Sequence, residues 1–129
     1  ASSRFNNTTP TSSVITLGND GTVNESGDDH IAYCFHSVDN YQKVGSYSGS
    51  GSAGNAQNVG FAPRFVMAKR TDSASGWVME TNQTTGELFA HSSDAENTLD
   101  RLQLTSTGFE FTRSAFNESG SSWIYLAIK

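Results

Sequence analysis

The apolar residues of this chain come in short runs with a period of two, and each run is closed by Gly, Ser, Asn or Asp. In "HIAYCFH" (30–36), Ile31, Tyr33 and Phe35 fall on one face and Ala32, Cys34 and His36 on the other. In "WIYLAIK" (123–129), Trp123, Tyr125 and Ala127 oppose Ile124, Leu126 and Ile128. A helix needs its apolar residues three and four apart, so this pattern confines the chain to strands. Both faces of these two runs are apolar, which predicts central strands of a two-layer structure, with Cys34 acting as a small buried hydrophobe.

Further runs of the same kind are "YQKVGSYSG" (41–49), "VGFAPRFVMAKR" (59–70), "GWVMET" (76–81), "ELFAHS" (87–92), "RLQLTS" (101–106) and "GFEFTR" (108–113). Pro63 cannot donate to a central ladder, so a bend or edge precedes a strand that starts at Arg64. Only "SDAENTLDR" (93–101) carries helix-start chemistry, with Ser93 or Asp94 as cap and Glu96 in the first turn. The glycine-rich stretch 46–58 reads as a surface loop or long hairpin connection, and "ASSRFNNTTPTS" as an extended arm. The expected fold is all-β: a jelly-roll-like β-sandwich of about eight short antiparallel strands with at most one short helix.

At 129 residues the chain holds one module with a proper core. Charged residues make up 16%, and with 12 glycines among abundant Ser, Thr and Asn the composition suits a turn-rich extracellular or virion protein better than a cytosolic enzyme. The net charge of −5 and the scatter of the eight Lys and Arg argue against a nucleic-acid partner. One cysteine cannot form a disulfide within a chain, so packing or oligomerisation must supply stability. No run approaches the ~20 apolar residues of a membrane span, and membrane insertion is not expected. A start at "ASSRFNN" without Met is expected of a processed product or one module of a longer protein.

The phrase "NESG" occurs at 24–27 and again at 117–120, each time two residues ahead of a strand-like run. Asn bonds readily to its own following backbone and Gly27 and Gly120 suit a positive φ, so both copies have turn chemistry. Turns of such common residues can match by coincidence. The alternative is an internal repeat, in which 1–37 is an N-terminal arm and strand closing a preceding unit and 38–129 is a sandwich module.

"YQKVGSYSGSGS", "VGFAPRFVMAKRTD", "GWVMET", "STGFEF" and "NESGSSWIYLAIK", in that order, resemble an uncharacterised β-rich domain family of bacteriophage tail-fibre and other virion-associated proteins, especially from aquatic phages. The resemblance covers about residues 24–129, and its most specific marks are Phe61 to Arg70 with the following Thr-Asp, the Trp77 strand and the turn before "IYLAI". In such proteins a phrase like "SGDxYIAYCF" resembles the end of a preceding module. The resemblance implies virion structure or host attachment in an extracellular particle. It favours a homo-oligomer, a trimer first, with other virion proteins and a host cell-surface glycan as partners. It carries over no catalytic residue.

The residues themselves point away from chemistry. His30 and His36 share a strand face about 20 Å apart at ~3.3 Å per residue, and neither they nor His91 stand at metal-ligand spacing. Asp28, Asp29, Glu80, Glu87, Asp94, Glu96 and Asp100 are read mostly as solvated turn residues rather than a glycosidase pair. The serines lack a nucleophile elbow and the glycines lack a phosphate-loop ending. "GNDGT" (18–22) and "SDAEN" (93–97) could hold a weak calcium, without the dense alternating carboxylates of a calcium loop. Asn6, Asn7, Asn24, Asn82 and Asn117 start glycosylation sequons, which in a phage protein are turn residues. The aromatic residues Tyr41, Tyr47 and Trp77, beside polar loops, are the candidate ligand or interface contacts, against ordinary strand packing as the alternative. The reading is therefore a non-enzymatic virion structural or adhesion module without cofactor or metal, presenting loops at 46–58, 72–76, 82–87 and 94–100. Its competitors are a monomeric carbohydrate-binding module and, more remotely, a polysaccharide depolymerase.

Overall fold

The computed structural model describes residues 4–74, 76–82, 86–99 and 101–129. The chain divides into two compact units, Ala1–Cys34 and Phe35–Lys129.

The first unit has no strand and no buried residue among residues 4–34. Polar side chains organise it. Asp20 caps a single helical turn, α1 (Gly21–Asn24), by accepting from the Thr22 amide at 2.9 Å and the Thr22 hydroxyl at 2.6 Å. Asn24 donates to the Gly18 carbonyl at 2.8 Å, and Gly18 donates to Arg4 at 2.8 Å. Residues 4–8 turn rather than extend, with Asn6 and Asn7 in the left-handed region and Thr8 donating to Phe5.

The second unit is an all-β sandwich. Its strands are β1 (Gln42–Ser48), β2 (Asn55–Asn58), β3 (Phe65–Arg70), β4 (Trp77–Thr81), β5 (Leu102–Leu104), β6 (Gly108–Phe111) and β7 (Ser122–Ile128). They form a four-stranded sheet in the order β1-β7-β3-β4 and a three-stranded sheet in the order β2-β6-β5, with every pairing antiparallel. β3-β4 and β5-β6 are sequence neighbours, while β7 inserts between β1 and β3 and locks the larger sheet.

Period-two alternation sends one side of each strand between the sheets. Tyr47, Val66, Ala68, Val78, Trp123, Tyr125 and Ala127 meet Leu102, Phe109 and Phe111 there, with Val59 and Phe61 closing one end. Tyr47 stacks on Trp123 with ring centroids 5.8 Å apart, and Phe109 meets Tyr125 edge-on at 5.0 Å. Each fully buried large apolar side chain contributes about 2 kcal/mol, so these rings dominate the stability of the unit.

Several expectations from the sequence fail, among them the strand at 87–92, where only the isolated bridges of Glu87 with Asn97 and of Leu88 with Met79 form. Residues 28–37 form no strand, and Cys34 is exposed. Residues 93–99 are not helical: Asn97 instead bridges to Glu87 with reciprocal bonds of 2.9 and 3.0 Å, and residue 100 lies outside the described residues. Within 46–58, expected as loop, Asn55–Asn58 is a strand because β6 supplies its hydrogen bonds.

Candidate functional site

The three aromatic candidates do not converge. Tyr47 is a core residue: its hydroxyl donates to the Phe116 carbonyl at 2.9 Å, and burial pushes that hydroxyl far above the usual phenol range, with the Glu118 charge adding to the effect. Tyr41 is 56% exposed on the turn leading into β1, its backbone tied to Val38 and Lys129. Trp77 opens β4, half-buried, with its amide donating to His91 Nδ1 at 3.1 Å. The strand order puts β1 and β4 at opposite edges of one sheet, about 14 Å apart at ~4.8 Å per strand.

Trp77 belongs to a larger feature, the outer face of the four-stranded sheet. The ladder register places Ser46, Ile124, Lys69 and Trp77 in one cross-strand row, Val44, Leu126, Met67 and Met79 in the next, and Gln42, Ile128, Phe65 and Thr81 in a third. None of these side chains enters the core between the sheets. Val44 and Ile124 are 37% and 44% exposed, Met67, Met79 and Phe65 are partly so, and Leu126 is buried among them at 7%. Lys69 is the one charged group in the three rows, and its ammonium folds back to the Arg70 carbonyl at 3.1 Å. A solvent-facing sheet normally alternates polar outward; a contiguous apolar face marks an interaction surface.

Contrary to the solvated-turn reading, Glu80 and Glu87 are buried. Glu87 accepts from the Arg101 amide and is held by its guanidinium at 2.7 to 3.1 Å, and that guanidinium lies 4.7 Å over the Phe116 ring. Both Glu87 oxygens are thus committed to a structural ion pair. Asp94 and Glu96 are exposed, and Asp100 lies outside the described residues. Among the described residues no three His, Cys, Asp or Glu side chains converge as a metal site would require. One hollow of about 220 Å³ is bounded by Asp39, Asn40, Lys43 and Phe61, among others, and a more open one of about 500 Å³ by Glu80, Thr81, Asn82, Leu102, Gln103 and Leu104.

The model of a family described as a domain of unknown function, DUF7483, matches residues 1–129. The chain belongs to that family. No curated protein and no solved structure matches it.

In this DUF7483 chain the second "NESG" turn holds the loop end of the sandwich rigid. Asn117 is fully buried; its oxygen accepts from the Ser50 amide at 2.9 Å and Asn55 Nδ2 at 2.6 Å, and its nitrogen donates to the Ser50 hydroxyl at 3.0 Å and the Ser52 carbonyl at 2.6 Å. Ser121 donates to the Glu118 carbonyl and accepts from Trp123 Nε1 at 2.7 Å, joining the turn to the core. Gly49 packs so closely that a Cβ there would run into the Glu118 carbonyl oxygen. The first "NESG" turn shares the glycine geometry, since Gly27 and Gly120 have φ of +92° and +75°. Only the second is followed by a strand.

Proposed function

We propose that this DUF7483 chain is a non-enzymatic structural or adhesive module of a virion, such as a phage tail-fibre, spike or capsid-decorating domain, and that it works as a homo-oligomer. The observation that carries the reading is the apolar outer face formed by Val44, Met67 and Ile124 around the buried Leu126, which is oriented away from the core. A rigid sandwich whose loop end is stapled by Asn117 suits presentation of loops to a host surface or to other virion proteins. The family resemblance in the sequence supports the virion setting and favours a trimer.

The test is the native mass of the chain and of Ile124→Asp at micromolar concentration. Assembly of the wild type and its loss in the variant, with the fold retained, supports the reading. A monomeric wild type refutes it. The second reading, a monomeric carbohydrate-binding module, draws on the partly exposed Trp77 ring. Glycan-array binding by a monomer, abolished in Trp77→Ala, would establish it instead.

A further inference from the structure

We propose that His91 is an acid-sensitive latch: its neutral imidazole closes the outer edge of β4 at Trp77, and its protonation opens that edge.

β4 is the last strand of the larger sheet, and the segment that follows it in sequence covers its free side. Met79 exchanges hydrogen bonds of 2.8 and 2.9 Å with Leu88. Every second amide of a strand points to the same side, so the Trp77 amide faces that edge as well. By then the covering segment has turned away, with Ser92 donating back to the Phe89 carbonyl. The acceptor for Trp77 is instead a side chain, His91 Nδ1 at 3.1 Å. The imidazole thus completes an edge that would otherwise offer an unpaired amide to another strand.

The ring has a seat as well as a bond. A Cβ at Gly76 would run into the imidazole, and Gly76 has no positive φ that would call for glycine on backbone grounds. Glycine at 76 is what lets the ring lie against the chain just ahead of β4. On another side Phe89 meets the ring edge-on with centroids 5.9 Å apart, and Phe89 lies 6.3 Å from Phe116, which packs edge-on against Trp123. His91 is therefore joined to the aromatic packing and yet exposed, where a proton reaches it.

A backbone amide only donates, so Nδ1 must hold its lone pair toward Trp77, and the proton of the neutral ring sits on Nε2. Histidines take up a second proton between about pH 5 and 8, and here it would set an imidazolium N–H against the N–H of Trp77. The charged groups around the ring are committed elsewhere. Lys69, opposite Trp77 in β3, turns its ammonium to the Arg70 carbonyl, and Asp72 in the turn before β4 pairs with Arg70. On the ring's own segment Asp94 and Glu96 are exposed, and Asp94 takes the Ser92 hydroxyl. Arg101, beyond Phe89, lies over Phe116 with its charge met by Glu87. Among the described residues no carboxylate bonds to His91, so nothing replaces the lost bond. Acid frees the Trp77 amide and residues 89–92 from the edge, while the Met79–Leu88 bridge and the Glu87–Arg101 pair hold the rest of the segment.

This inference does not rest on the virion reading, and amide-resolved nuclear magnetic resonance of the full chain tests it. At about pH 8 the ring nitrogen shifts of His91 are expected to place its proton on Nε2. Corrected for the intrinsic pH dependence of exchange, protection of the Trp77 amide is expected to fall about tenfold on going to about pH 5, the worth of one hydrogen bond. Val78, laddered to Ala68 of β3, is expected to keep its protection. In His91→Asn and His91→Phe, neither of which titrates, the change is expected to vanish, with Trp77 open throughout in the second. A proton on Nδ1 in the neutral ring, Trp77 protection unchanged by acid, the same acid loss in His91→Asn, or a protected Trp77 in His91→Phe would overturn the latch.

Discussion

At the residue scale, buried polar groups carry more of the account than catalytic candidates do. Asn117 uses its whole hydrogen-bonding capacity inside the protein, so Asn117→Ala leaves the Ser50 amide without this acceptor and the Asn55 side chain with the Ser48 carbonyl alone. Each such hydrogen bond is worth about 0.5 to 1.5 kcal/mol net, and urea unfolding is expected to show a loss of about 2 kcal/mol. Tyr47 and Tyr125 give a pH signature. Burial raises both hydroxyls above the ordinary phenol value of 10.0, so above that pH the unfolded chain releases protons that the folded chain keeps. Their contribution is intact below pH 10.0 and erodes as the pH rises beyond it. Tyrosinate absorbance and circular dichroism followed together should show Tyr47 ionising only as the fold is lost; its free ionisation with the fold intact would refute its burial.

At the element scale, the Glu87–Arg101 pair pins the segment around Leu88 to the start of β5. Arg101→Ala removes the counter-charge of a fully buried carboxylate and the cover over Phe116, and should cost about 3 kcal/mol in thermal or denaturant unfolding. Glu87 reads in the sequence as one more turn acid, because burial of a charge depends on a partner 14 residues away. Five of the seven strands were legible as alternating apolar runs closed by turn residues, and β1 as the core of a longer one. β2 was not, because "NAQN" has no apolar signal and becomes a strand solely through the hydrogen bonds of β6. The run 30–36 shows the converse, since alternation alone does not make a strand. Apolarity on both faces of "WIYLAI" marks a central strand, and β7 is one, paired with β1 and β3. In a two-layer sandwich only one of its faces is inward, so the second is outer surface, which periodicity does not tell apart.

At the scale of the whole molecule, the apolar outer face of the four-stranded sheet around Val44, Met67 and Ile124 is left over by the packing between the sheets. Such a face is what a closed homo-oligomer would cover. The measurement that tests the central claim most directly is the native mass of the full chain at micromolar concentration and ordinary salt. The account predicts an assembly, a trimer first, and a monomer throughout the micromolar range would contradict the account at its centre.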